Sequence, residues 1–248
     1  MLDQISIVVI TKNAADTLAA TLDSTTGFAE VVVYDNGSND ATREIARSYD
    51  NVSLVEGDFF GFGPTKNHAI SLASNDWVLS LDADEKLSPD LVNYLRKWQP
   101  ASINSAGIIR RDNYMMGQLV DKGGWGADWL LRLFNRNIHQ FDDKLAHERV
   151  PQTEISIAER IPYPIEHNAV RHLGEFLVKI DRYSEVHRET NNRVIHPALI
   201  FIRGMLAFVK SYVVKGGMFA GWRGLVIAWN DANGVFFKYM KIYADRHL

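Results

Sequence analysis

Trp77-Val78-Leu79-Ser80-Leu81-Asp82-Ala83-Asp84-Glu85 decides the fold of this 248-residue chain. Its apolar opening, with β-branched and aromatic content, reads as a buried strand. The strand stops in three carboxylates, and Ser88-Pro89-Asp90 then opens a helix, Ser88 capping it and Pro89 at the first helical position. In an open α/β sheet, ligands sit outside the carboxyl ends of the strands. Asp82 and Asp84 are two residues apart, so a strand that continues this far points both to one face. Two such carboxylates repel unless something positive lies between them. A hard divalent cation, held by a carboxylate or two beside a phosphate, fills that place. An acidic turn after a strand is the commoner meaning of so short a motif, so its neighbours must decide.

Upstream, Ile5-Ser6-Ile7-Val8-Val9-Ile10 reads as a first strand, followed by an Ala/Leu-rich helical stretch to about Asp23. Glu30 to Tyr34 and Val52 to Glu56 read as two more strands, with helices over 41–49 and from about Pro64 to Ala73. Strands alternating with short helices imply a parallel sheet with right-handed crossovers. Downstream the pattern is less regular. Strands are expected at 106–114, 129–134 and 165–170, with a glycine-rich loop or hairpin at 116–126. Helical spacing resumes at Leu173, Phe176, Leu177, Ile180 and Tyr183.

The composition, 46% hydrophobic and 23% charged, is that of an ordinary globular protein. There are no cysteines, which excludes disulfides, zinc–thiolate sites and thiol nucleophiles and suits a reducing compartment. The N-terminus lacks a signal-peptide pattern, since Asp3 and Gln4 interrupt it. No uninterrupted apolar run reaches about 18 residues, so a spanning helix is not expected. The net charge of −3 hides an asymmetry. Residues 193–248 hold eight Lys/Arg and two Asp/Glu, a balance of +6, and the rest is −9. An acidic body disfavours a nucleic-acid partner. The tail is apolar over 197–214 and alternates aromatic and basic residues over 222–243. Such a segment either caps the core or another subunit, or lies on an anionic membrane surface.

Three further motifs stand at strand ends. Asp35-Asn36-Gly37-Ser38-Asn39-Asp40 fits an Asx turn with Ser38 capping the next helix; its alternative is that Asp35 accepts hydrogen bonds from a base or ribose. Thr11-Lys12-Asn13 ends the first strand and lines the same crevice. Lys66-Asn67 sits early in a helix, where a lysine is either solvated or placed for a phosphate. The first βα turn lacks G-x-G-x-x-G and there is no Walker A pattern, which argues against a dinucleotide or P-loop site.

Taken in order, Thr-x-Asn, Asp-Asn-Gly-Ser-x-Asp, Lys-Asn and Asp-x-Asp-Glu over residues 5–90 resemble the inverting family 2 glycosyltransferases. Gly123-Gly124-Trp125, Trp129 to Arg136 and Ala146-His147-Glu148 resemble a branch of that family, which adds a β-linked glucose to the inner-core heptose of lipopolysaccharide. The Gln-x-x-Arg-Trp box of processive synthases is absent, so one sugar per acceptor is expected. The resemblance implies an α/β fold of the GT-A kind, a mostly parallel Rossmann-like sheet with a C-terminal helical extension. It implies a GT-A domain over 1–190, divided into a nucleotide-sugar-binding half (1–100) and an acceptor-binding half (101–190). An amphipathic extension follows over 191–248.

The family pattern further implies an enzyme whose donor is a nucleotide-diphosphate sugar, UDP-glucose by the branch, and whose acceptor is a lipid-linked saccharide. Its cofactor is a divalent cation, Mg²⁺ or Mn²⁺, on Asp84, Asp82 and His167. Asp35 would read the base, with Thr11 and Asn13 lining that pocket, and Asp82 would also touch ribose or a metal-bound water. Lys66 and Arg132 would meet phosphate, Arg132 having the alternative of pairing with a carboxylate. Glu148 is the candidate base, with Asp128, Asp142 and Asp143 as rivals, and His147 would orient it or touch diphosphate. The expected location is cytoplasmic, peripheral at the inner face of the membrane. Transfer to a polyprenyl-phosphate carrier or another envelope glycan is the nearest alternative. A silent sugar-nucleotide binder is the other, against which the clustered carboxylates argue.

Overall fold

The hydrophobic pattern of β1 (Ile5–Thr11) leaves almost no side chain in water, as a strand covered on both faces requires. This computed structural model describes residues 1–126, 128–144, 148–151 and 157–247. In chain order the elements continue with α1 (Leu18–Asp23), β2 (Glu30–Asp35), α2 (Thr42–Arg47), β3 (Val52–Glu56), α3 (Phe62–Ser71) and β4 (Trp77–Asp82). Then come β5 (Glu85–Leu87), α4 (Pro89–Lys97), β6 (Ser105–Met115), β7 (Gln118–Leu119), β8 (Asp128–Asn135) and β9 (Ile157–Val170). Three helices close the chain: α5 (Gly174–Thr190), α6 (Pro197–Val209) and α7 (Gly221–Asp245).

The sheet order is β3-β2-β1-β4-β8-β6-β9-β5, with β7 paired to β6. β3, β2, β1 and β4 run parallel, while β8 joins β4 antiparallel and β5 joins β9 antiparallel. The chain first winds outward from β1 to β3 and then returns to lay β4 on the other side of β1. The strand order reverses there, the position at which a doubly wound sheet opens a crevice. Register fixes what lines it: Thr11 pairs with Asp35, and Ile10 pairs with Asp82.

The described residues form two compact units, residues 1–111 with 129–167, and 112–128 with 168–248. In the first, Ile7, Val9, Val31, Leu79 and Leu133 belong to one core cluster, and Val8, Val32, Val78 and Phe134 to a second. The alternation along each strand separates the two sets. In the second unit, Met115, Val170, Phe176 and Ile227 make a smaller core, and α5 and α6 both pack on α7.

Several local expectations are met. Ser88 accepts a hydrogen bond from the Leu91 N–H at the start of α4, with Pro89 at the first helical position. Others differ. β9 begins at Ile157, eight residues before the expected start, because Pro162 and Pro164 read as strand breakers. Both precede Ile165–His167, the stretch that pairs with β5. Ser38 does not cap α2, which begins at Thr42 with Ala41 at the N-cap and no side-chain cap; just before it, Asp40 accepts from the Thr42 N–H at 3.0 Å. Pro197–Val214 forms one 18-residue helical stretch, long and apolar enough by length and composition to cross a membrane. The requirement of an uninterrupted run passed over it because Arg203 and Lys210 fall inside.

Candidate active site

β4 ends at Asp82, and a two-residue turn, Ala83 and Asp84, leads into β5. The turn closes on itself: the Asp82 N–H donates to Glu85 Oε2 at 3.0 Å. That leaves the Asp82 carboxylate at the carboxyl rim, between two cations. Lys66 Nζ donates to Oδ1 at 2.8 Å and Arg132 Nη2 to Oδ2 at 2.7 Å. Arg132 also reaches Glu85 Oε1 at 3.0 Å, and Arg111 meets the same oxygen at 3.1 Å. Glu85 is fully buried, a charge tolerated there because two guanidinium groups meet it.

Lys66 belongs to α3, and its side chain is only 3% exposed. Its ammonium touches Glu148 Oε1 at 2.7 Å as well as Asp82. A continuous chain of charges results: Glu148, Lys66, Asp82, Arg132, Glu85, Arg111. Burial works against ionisation of Asp82, but Arg132 and Lys66 outweigh it and hold its carboxyl well below the usual 3.8. Burial likewise opposes the charge on Arg132, and Asp82 with Glu85 overcomes it and raises the guanidinium's pKa.

Two residues on, Asp84 Oδ2 lies 3.4 Å from His167 Nε2, a contact set by the pairing of Glu85 with His167 across β5 and β9. The expected metal set is therefore split. Asp84 and His167 are together, while both oxygens of Asp82 are engaged by Lys66 and Arg132. Among the described residues, no group of three or more His, Cys, Asp or Glu side chains is placed to hold a metal ion. One carboxylate and one imidazole fall short of a closed site. They fit an ion that completes its shell with water and diphosphate oxygens, as Mg²⁺ and Mn²⁺ do.

On the other side of β1, Asp35 is fully buried and turned into its own loop. Oδ1 accepts from the N–H groups of Gly37 (3.1 Å) and Ser38 (2.9 Å), and Oδ2 accepts from Ser38 Oγ. The Asx turn is thus realised, and the carboxylate faces its own backbone. Asn13 ties the β1 loop to this turn: its N–H donates to Ser38 Oγ at 2.8 Å, and its Oδ1 accepts from the Asn39 N–H at 2.8 Å. It does so with φ at 52°, a conformation asparagine tolerates better than most residues. Thr11 Oγ1 is buried with no hydrogen-bond partner among the described residues.

Lys66, Asp82, Arg132 and Glu148 thus stand in one connected cluster, Asp84 and His167 in a pair beside it, and Thr11, Asn13 and Asp35 at the neighbouring strand ends. Among the rivals for the base, Asp142 pairs with Lys144 at 2.6 Å. Asp128 belongs to the second unit. His147 lies outside the described residues. The sequence reading gave no role to Glu85, Arg111 or Asn67. Asn67 Nδ2 donates to the Phe141 carbonyl at 2.9 Å, and its Oδ1 accepts from the Phe141 N–H at 2.8 Å. The signal for Glu85 was present as the third carboxylate of the opening stretch, facing arginines at 111 and 132.

A doubly wound sheet with acids and bases interleaved at its carboxyl rim defines an α/β protein with a polar site at the strand-order reversal. The chain belongs to glycosyl transferase family 2, whose model matches residues 6–153. It is similar over 98% of its length to the lipopolysaccharide core biosynthesis glycosyltransferase LpsC of Rhizobium meliloti, with 26% identity covering 93% of that protein. An uncharacterized glycosyltransferase of Rickettsia typhi is 38% identical over 147 residues, 58% of this chain and 48% of the relative. The chain thus spans about half the length of that protein, and 30% of a Rickettsia prowazekii relative. Among solved structures, S. aureus TarS 1-349 in complex with UDP-GlcNAc covers 98% of this chain and 91% of its own. The TM-score is 0.46 and the identity 14%, too distant a likeness to inform function.

Proposed function

We propose that this protein transfers a single sugar from a nucleotide-diphosphate donor, with inversion, to a lipopolysaccharide inner-core heptose, and that the donor is UDP-glucose. The observation that carries the reading is the ion-paired chain Glu148–Lys66–Asp82–Arg132 at the carboxyl rim of a family 2 chain. The name of the full-length relative LpsC supports a lipopolysaccharide-core acceptor. Glucose and heptose rest on the motif resemblance.

In this reading the acceptor hydroxyl oxygen bonds to the anomeric carbon as the bond from that carbon to the diphosphate oxygen breaks. Glu148 takes the hydroxyl proton, and the nucleoside diphosphate leaves with the electron pair. Lys66 fixes the Glu148 carboxylate by direct contact. Arg132 and Lys66 supply positive charge near the departing diphosphate, with Asp82 holding both in place. Asp84 and His167 would hold Mg²⁺ or Mn²⁺, which would act as a Lewis acid on the leaving group. Asp35 and Asn13 shape the base pocket by fixing the two loops, and Thr11 lines it. The acceptor is lipid-linked, and the enzyme works from the cytoplasm at the inner face of the membrane.

The test is a screen of UDP-sugars for binding and hydrolysis, with and without Mn²⁺ or Mg²⁺, followed by transfer to heptose-bearing acceptors. UDP-glucose turnover with a heptose acceptor supports the proposal. Turnover only with polyprenyl phosphate, or binding with no transfer to any acceptor, rejects it.

A further inference from the structure

The helices of the second unit carry their apolar residues on the wrong side for a protein surrounded by water. A solvent-facing helix shows polar residues outward. α6 does the reverse. Its inner face, at Ile200 and Gly204, is buried, and a Cβ on Gly204 would sit 3.3 Å from the Ala232 carbonyl of α7. Its outer face, continued into the helical turn that follows, repeats Leu199, Ile202, Leu206, Val209 and Val213 at helical spacing, each between 45% and 62% exposed. Past the turn, Met218, Trp222, Leu225 and Trp229 form a second exposed stripe along the start of α7. Phe208 of α6, next to Val209, touches Trp229 of the second stripe ring to ring, 5.8 Å between centroids. Apolar patches this extensive mark an interaction site.

The charges around the patch say what covers it. Residues 193–248 carry a +6 balance on a chain that is −3 overall. Within 197–230 there is no acidic residue, while Lys210 and Lys215 follow α6 in the chain and Arg223 stands next to Trp222 at the start of α7. Lys122 lies 5.7 Å over the ring of Phe219, itself 72% exposed, and Arg223 lies 4.4 Å over Trp222. Aromatic rings with cations beside them are the side chains that settle at a membrane–water boundary, stems in the acyl region and charges among headgroups. A second copy of this chain would bring the same positive rim against itself, whereas an anionic bilayer complements it.

We infer that the outer face of α6, the turn at 215–220 and the start of α7 form a docking surface that lies in the interface of an anionic lipid bilayer. Lying in the interface, rather than crossing, follows from packing: the inner face of α6 is committed to α7, and Arg203 stands 5.4 Å over Tyr239. The membrane attachment proposed for the transferase gains a defined surface here, but vesicle binding is read without donor, acceptor or metal. Its failure therefore leaves the catalytic proposal standing, and the reverse also holds.

The experiment is flotation of the full chain with phosphatidylcholine vesicles, with and without phosphatidylglycerol, at low and high salt. Binding should require the anionic lipid and fall with salt. Lys210→Glu and Lys215→Glu should each weaken partition about fivefold or more. Phe219→Ser should weaken it about tenfold or more, while Ile103→Ser, exposed in the first unit, should not change it. Thermal melting unchanged from that of the native chain shows that the variants fold. The proposal is overturned if the chain does not float with anionic vesicles, if Phe219→Ser and Ile103→Ser behave alike, or if light scattering shows a dimer that Phe219→Ser dissociates and that excludes vesicles.

Discussion

Glu148 Oε1 lies 2.7 Å from the Nζ of Lys66, so the candidate base and a buried cation on α3 form a single unit. A carboxylate that accepts the acceptor's proton is needed in the transition state and not for holding the donor. Glu148→Gln keeps the shape and removes the charge. It should lower turnover by about 10²- to 10⁴-fold with donor affinity nearly unchanged. Steady-state kinetics alongside donor titration separates the two effects. If Asp128→Asn produces this pattern and Glu148→Gln does not, the base is Asp128.

Lys66→Met tests the same pair from the other side. It leaves the Glu148 carboxylate, which is only 14% exposed, without its cation. Breaking a buried pair by removing one partner costs about 3–5 kcal/mol, which for a chain of this size lowers the melting temperature by roughly 10 °C. Lys66→Met combined with Glu148→Gln removes the orphaned charge as well and should recover part of the loss. Thermal melts of the two single variants and the double variant give the coupling directly.

Acid stability should report Asp82. Its folded-state pKa is held well below 3.8 by Arg132 and Lys66. A group depressed on folding adds stability that is present above its unfolded value and lost as pH falls toward the folded one. Asp82→Asn should therefore be less stable than the native chain at neutral pH, with the gap closing as pH drops below about 3.9. Melting curves across that range check it; a gap that stays constant with pH would remove the ion pairs from the explanation.

The Asp84–His167 pair makes a prediction about metal that does not depend on turnover. Mn²⁺ binding in the presence of UDP, followed by paramagnetic resonance or calorimetry, should be lost in Asp84→Ala and weakened in His167→Ala. Asp82→Asn should retain more of it, because the Asp82 oxygens already face Lys66 and Arg132. Asp84→Ala should also abolish transfer while the fold survives. Full activity in that variant, or in excess EDTA, would exclude a metal role for this pair.

What the sequence made legible was local. Strand and helix periodicity placed β1 to β4 in order, and the Asx turn at Asp35 is written in residues two and three positions apart. The role of Lys66 was not legible, because its partner Glu148 is 82 positions away and reaches it only through tertiary folding. Nor was the division of the carboxylates: Asp82 and Asp84 look equivalent in sequence, yet β-sheet register gives one to two cations and the other to His167. The same distance problem hid the full length of β9, whose prolines stop a strand only where a neighbour needs their missing N–H.

α3 grips the segment that leads to Glu148, and that grip is open to a direct test. Gly63 donates its N–H to the Lys144 carbonyl at 3.1 Å, and a Cβ added there would stand 2.0 Å from the Asp142 carbonyl oxygen. Backbone cannot yield cheaply, so Gly63→Ala must push the segment away from the helix. One turn on, the two-way hydrogen bonding of Asn67 with the Phe141 backbone holds the same segment. Gly63→Ala should cost about 1–3 kcal/mol in stability, the usual range for overpacking. It should lower turnover more than it weakens donor binding, because Lys66 and Glu148 would no longer be held in register. Asn67→Ala should act in the same direction without the steric clash, isolating the hydrogen bonds. If both variants melt and turn over like the native chain, the contact between α3 and this segment does not position Glu148.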